Sequence, residues 1–144
     1  MNPLGFNPMR WNCEKRGCYN LKHRPKIEMF ADVWPGRISM GDVDGIVEIA
    51  GNALMIEWKT ETTKLPTGQR IMYQRITNGK RISVFCICGD AETMAVSSYK
   101  IFFDGRENPR DEWISIDMAG LKLKLQGWCK WAQQNPRIGN CLRS

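Results

Sequence analysis

One histidine, His23, occurs in 144 residues. A catalytic histidine pair is thereby excluded. No apolar run approaches the ~20 residues that a membrane-spanning helix needs, so no membrane span is expected. Met1 to Trp11 lacks a basic stretch followed by an apolar one, and no secretory leader is read there. The six cysteines, Cys13, Cys18, Cys86, Cys88, Cys129 and Cys141, are therefore expected as reduced thiols in the cytoplasm, not as a disulfide framework. Internal repeats and low-complexity tracts are absent. Acids are outnumbered, 15 against 21 Lys and Arg, which leaves a formal charge of +6 and a pI near 9.1. A small basic domain fits a polyanionic partner, nucleic acid first, with plain solubility as the alternative.

What is present begins with a basic arm. Asn2-Pro3, Asn7-Pro8 and several glycines break any regular pattern up to residue 25. Arg10, Lys15, Arg16, Lys22, Arg24 and Lys26 face a single acid, Glu14, with Trp11 and Tyr19 interleaved. Such a segment either contacts phosphates and stacks on unpaired bases or is a solvated arm; the residues leave both open. Cys13, Cys18 and His23 supply three of the four ligands that structural zinc requires, with Cys129 or Cys141 as the fourth. Their spacing matches no finger pattern, and lone thiols are the favoured reading.

The richest stretch is Gly41 to Lys59, GDVDGIVEIAGNALMIEWK. Two apolar runs flank Gly51-Asn52, which reads as a two-residue hairpin loop. That loop sets Ala50 against Ala53, Ile46 against Glu57 and Asp44 against Lys59. Cross-strand partners share a face, as do residues two apart. Asp44, Glu57 and Lys59 then lie together, and Val43, Val47, Ile49, Leu54, Ile56 and Trp58 form an apolar face behind them. Two carboxylates at close quarters suit a hard divalent cation, which takes oxygen ligands. The bland alternative is a strand end with solvated charges.

Asp44, a gap of a dozen residues, and then Glu57-Trp58-Lys59 resembles the signature of the PD-(D/E)XK nuclease superfamily. Gly41-Asp42-Val43-Asp44 is similar to the lead-in of RecB-type nuclease domains, and Gln69-Arg70-Ile71-Met72-Tyr73 is similar to their helical Gln-x-x-x-Tyr motif. Chain length suggests a single domain of 1–144; the resemblance covers roughly residues 26 to 90, so that domain divides into a basic arm (1–25), a nuclease core (26–90) and an extension (91–144). The resemblance implies an α/β (α+β) restriction-endonuclease-like αβββαβ core with a mixed central sheet flanked by helices, to which the C-terminal helix is an extension. The implied activity is Mg²⁺- or Mn²⁺-dependent hydrolysis of DNA. Asp44, Glu57 and the Trp58 carbonyl would hold the ion, Glu28 would add a carboxylate, and Lys59 would position the attacking water. Gln69 and Tyr73 would hold the substrate strand, and Arg70 and Arg75 would add backbone contacts. Val43 stands where many members have Pro, and Asp42 is an extra acid that competes with Asp44 for the same role. A domain this small looks like a phage or mobile-element nuclease or a junction resolvase, acting in DNA processing, recombination or repair. A silent nucleic-acid-binding module, or an interaction protein that inhibits a host factor, is the alternative.

The remaining segments follow from spacing. Pro25 opens a short helix over Lys26 to Val33, carrying Glu28, and Arg37 to Met40 reads as a strand. A helix runs from Pro66 or Thr67 to Asn78-Gly79, with Met72 and Ile76 as its apolar side. Arg81–Cys88, Met94–Phe103 and Trp113–Ile116 read as strands, and the polar stretch from Arg106 to Trp113 as a loop. Asp117 to Gln134 repeats Met118, Leu121, Leu125, Trp128 and Ala132 at helical spacing; this stripe is core, or else the seam of a homodimer.

Overall fold

In the computed structural model, residues 25–62 and 64–137 are described. The backbone divides between Asp42 and Val43 into two compact units, each taken by itself.

In the first unit, Ile27–Phe30 forms a single 3₁₀ turn, shorter than the helix that the spacing predicts. Met29 N–H donates to the Lys26 carbonyl and Val33 N–H to the Phe30 carbonyl. These i→i+3 bonds characterise 3₁₀ geometry, which rarely extends beyond a few residues. Arg37 to Met40 is not a strand. The Ile38 N–H turns back to the Pro35 carbonyl, at 3.2 Å, and is lost to any ladder. Ile27, Trp34, Met40 and Asp42 are among the residues lining a cavity of about 320 Å³.

The second unit is α+β, with a mixed six-stranded sheet. Its strands are β1 (Gly45–Ile49), β2 (Asn52–Lys59), β3 (Ile82–Asp90), β4 (Ala95–Phe103), β5 (Arg106–Asn108) and β6 (Ile114–Ser115). Helix α1 spans Thr67–Ile76 and helix α2 spans Met118–Gln134. The sheet order is β1-β2-β3-β4-β5, with β6 also on β4. Strands β2 and β3 are parallel and joined through α1; the other pairs are antiparallel. The hairpin, the helix after it, the strand that follows and the C-terminal helix are those the sequence predicts; the parallel pairing of that strand is new. Strand β5 occupies part of the stretch read as loop.

Two apolar layers sandwich the sheet. On one side Leu54, Phe85 and Ile87 pack against Leu121, Trp128 and Ala132 of α2, with Ile49, Ile56 and Trp58 alongside. On the other side Leu65 and Tyr73 cover Val84, Cys86 and Phe102. Fully burying a side chain of Leu or Phe size stabilises by about 1.5–3 kcal/mol, so each layer is substantial. Asp117 caps α2 by accepting from the Gly120 N–H at 2.8 Å, the usual role of Asp at that position. Val43 and Val47 depart from the expected burial: each is 45% exposed, because β1 is the outer strand of the sheet.

The hairpin register also differs from the sequence reading. Ala50 and Gly51 form the turn, at φ 54° and 89°, and Asn52 pairs with Ile49 inside the strands. Gly45 faces Ile56, which brings Asp44 level with Glu57 instead of Lys59. The difference is two residues, so every side chain keeps its face. The cause is tertiary. Asn52 is fully buried, donates to the carbonyls of Ala132 and Asn135 at 3.3 and 2.9 Å, and accepts from Arg137 Nε at 2.9 Å. These bonds hold it in the strand and leave Ala50 to take the left-handed conformation.

Candidate active site

Strand β2 carries Glu57 and Lys59 on the face covered by α1. Asp44 sits just before β1, where the ladder to β2 stops. Its Oδ2 accepts the Trp58 N–H at 2.6 Å, a short charge-assisted bond. The carboxylate thus takes the place of the missing next residue of β1. Within a strand, the N–H and C=O of one residue leave on the same side. The Trp58 carbonyl therefore points towards the same edge as Asp44. The Trp58 indole turns to the other face and donates to the Gly89 carbonyl at 3.1 Å.

Helix α1 brings the Gln-x-x-x-Tyr pair to these residues. Lys59 Nζ donates to Gln69 Oε1 at 2.7 Å. One turn on, the Tyr73 hydroxyl donates to the Glu57 carboxylate; burial foremost, and then the charge of Glu57, push the Tyr73 pKa far up. Tyr73 is a neutral donor at any working pH. Its ring packs edge-on to Phe102, with centroids 5.2 Å apart. Tyr73, 1% exposed, anchors α1 to the sheet, whereas Met72, expected on the packed side, is 45% exposed.

Cys86 lies beside Glu57 across the parallel ladder. Burial pushes its thiol up to about 12, with Lys59 and Lys100 pulling down and Glu57 and Glu107 pushing up. It remains a neutral, inert thiol. Beyond it in the same cross-strand row stands Lys100, only 1% exposed. Lys100 Nζ donates to Glu107 Oε2 at 2.5 Å and lies 5.1 Å from the centre of the Trp113 ring. Glu107 Oε1 accepts from Arg70 Nε at 2.6 Å, and Arg70 also pairs with Asp111.

Asp44, Glu57, Lys59, Gln69 and Tyr73 are thus gathered at one place. Arg70 is not offered to a ligand as expected, since its guanidinium is taken up by Glu107 and Asp111. Arg75 is exposed in the last turn of α1, roughly 9 Å along the helix axis from Gln69, and so away from Lys59. Glu28 is on the 3₁₀ turn of the first unit, and its side chain is outside the described residues, as are Cys13, Cys18 and His23 entirely. Asp42 belongs to the first unit.

The donors at Asp44, Glu57 and the Trp58 carbonyl are all oxygens, a set that suits Mg²⁺ or Mn²⁺ and not a soft ion. Among the described residues no group of three or more His, Cys, Asp and Glu gathers around a point. A cation held here would take two carboxylates and a carbonyl, completed by water or phosphate, which is within the usual habit of Mg²⁺.

Lys100, Glu107 and Asp111 escaped the sequence reading. A signal existed: Asp104-Gly105 is a turn pair, and a hairpin across it places Glu107 opposite Phe102, on the face of Lys100. A lysine inside an otherwise buried strand then demands a partner carboxylate. Among the described residues no helix is long and apolar enough to cross a membrane. Comparison with known proteins finds no family model that matches the chain, no matching curated protein and no matching solved structure.

Proposed function

We propose that this protein is a metal-dependent nuclease that hydrolyses phosphodiester bonds in DNA. The observation that carries the reading is the convergence of Asp44, Glu57 and Lys59 with Gln69 and Tyr73, residues from three separate sequence motifs. Charged groups at strand ends are common, but a lysine aimed by a glutamine and a carboxylate aimed by a tyrosine are preorganised. Preorganised charge favours the transition state, because it needs no rearrangement when charge develops.

Asp44, Glu57 and the Trp58 carbonyl would hold Mg²⁺ or Mn²⁺, whose chemistry is to offset charge on a phosphate oxygen and acidify a bound water. Lys59 holds the attacking water by hydrogen bond and keeps a positive charge beside the phosphate. Gln69 sets the direction of that ammonium. Tyr73 keeps Glu57 turned inwards. The basic balance of the chain supports a polyanionic substrate, and the free thiols Cys86, Cys88 and Cys129 support a reducing, cytoplasmic setting.

The test is cleavage of linear duplex, single-stranded and four-way-junction DNA with Mg²⁺, Mn²⁺ or EDTA, using wild type, Glu57→Ala and Lys59→Ala. Cleavage that requires the metal and falls by about 10²–10³-fold in each variant is the expected result. Cleavage that survives EDTA, or that both variants retain, sinks the proposal. DNA binding without cleavage would make the protein a binding module instead.

A further inference from the structure

We propose that Glu107 is a positioning residue for Lys59, acting through Arg70 and the first turn of α1. This rests on reading Lys59 as the lysine that orients the attacking water.

The first turn of α1 has little else to fix it. Its N-cap is Pro66, which makes no side-chain capping bond, and the turn contains no acidic residue. Among the described residues it is tied down by Leu65, 4% exposed, and by the ion pairs of Arg70 with Glu107 at 2.6 Å and with Asp111. Gln69 directly precedes Arg70, and its Oε1 receives Lys59 Nζ at 2.7 Å. A shift of the turn by about 1 Å takes such a bond out of range.

Glu107 is itself buried and bonded through both carboxylate oxygens. Its side chain and that of Lys100 are each 1% exposed, and Lys100 is held from the far side by the Trp113 ring. A buried lysine and a partly buried arginine on one buried carboxylate are poor economy for stability, since apolar residues of similar volume often serve as well or better. What the arrangement does provide is direction. The two carboxylate oxygens take different partners, Oε2 from β4 and Oε1 from α1, so Glu107 sets the distance from the sheet to the helix. The chain of contacts is Lys100, Glu107, Arg70, Gln69, Lys59. It starts in the cross-strand row of Glu57 and ends at the ammonium two residues beyond it. Asp111, which holds Arg70 from the solvent side and is 49% exposed, adds little to it.

The test uses the full chain and the variants Arg70→Gln, Glu107→Gln, Asp111→Asn and Gln69→Ala, with folding checked by near-ultraviolet circular dichroism. The first readout is the Lys59 ¹⁵Nζ resonance, assigned by its loss in Lys59→Arg. In Arg70→Gln and Glu107→Gln it moves from the wild-type position to that of Gln69→Ala; in Asp111→Asn it stays. The second readout is cleavage: kcat falls about ten- to a hundredfold in Arg70→Gln with KM within about twofold, and Asp111→Asn stays within about twofold. Arg70→Gln carries the test if Glu107→Gln does not fold, because it leaves the Lys100–Glu107 pair intact. A wild-type Lys59 signal in folded Arg70→Gln overturns the proposal, and so does an equal loss of kcat in Asp111→Asn. If the wild type cuts no DNA, the nuclease reading fails, while the Lys59 signal still decides the positioning.

Discussion

Glu107 balances opposing effects on a single carboxyl group. Burial raises its pKa, and hydrogen bonds from Arg70 and Lys100, with their charges, outweigh burial and bring it below the ordinary 4.5. A carboxyl held lower in the folded chain than in the unfolded one stabilises the fold above the unfolded value. That contribution is lost as pH falls through the folded value. The same logic gives a residue-level prediction. In urea unfolding at pH 7, Glu107→Gln costs about 3 kcal/mol, because buried Lys100 loses its counter-charge. The difference from wild type holds from pH 7 to about 4.5 and shrinks as the pH is lowered further. A difference that stays constant down to pH 2.5 would show that Glu107 is not ionised in the fold. Tyr73 and Cys86 move the other way for the complementary reason: burial disfavours their anions. Under the proposed function, chemistry at this face is left to Asp44, Glu57 and Lys59. The neighbouring groups are locked in one protonation state at neutral pH.

At the level of elements, the β1–β2 turn is the place where distant parts of the chain meet. The Arg137 N–H donates to the Ala50 carbonyl at 2.6 Å, and the Arg137 carbonyl presses on Gly51. A Cβ at Gly51 would come within 1.8 Å of that oxygen. The turn also needs positive φ at both central residues, which glycine tolerates and other residues resist. Gly51→Ala is therefore expected to destabilise by about 1–3 kcal/mol from backbone strain alone, with the clash in addition. Chemical denaturation measures it, and a change under 0.5 kcal/mol, an ordinary surface value, would mean that the turn and the end of α2 are not in contact. The turn lies at the far end of β2 from Lys59. Its loss should lower stability with little effect on the geometry around Glu57. Helix α1 behaves differently, because its packing residue, Tyr73, and its site residue, Gln69, are one turn apart. Anything that moves the helix moves the site.

Over the whole molecule, the two faces of the sheet have separate tasks. The α2 face is apolar but for the hydrogen-bonded Asn52 and Ser83, carries no charge among its buried residues and supplies stability. The α1 face mixes Leu65, Phe102 and Val84 with Glu57, Lys59, Lys100 and Glu107, and holds charges at fixed positions in a poorly polarisable setting where they act strongly. The net charge of +6 acts at longer range and without direction. Binding of the non-cleaving Glu57→Ala variant to duplex DNA should thus weaken by roughly a hundredfold or more between 50 and 200 mM salt, the response of a protein that neutralises four or more phosphates. Titration by fluorescence anisotropy measures this. Affinity independent of salt would argue against DNA as the partner, whatever the site can do.

Asp44, Glu57, Lys59, Gln69 and Tyr73 were legible because their spacing is local. Alternation along a strand and a four-residue step along a helix decide which side chains share a face, and neither depends on the rest of the chain. The α+β class and the long C-terminal helix were legible for the same reason. Three features were decided only by tertiary structure. The turn moved by one residue, and the cross-strand register by two, because Asn52 finds its hydrogen-bond partners on α2 and beyond, some 80 residues away. Arg37 to Met40 forms no strand, since a strand exists only where its backbone groups find a ladder. Arg70 reads as a surface cation until the hairpin of β4 and β5 brings Glu107 against it. Hydrophobic period and residue chemistry are properties of a short window of sequence. The partner of a buried charge is a property of the packed fold.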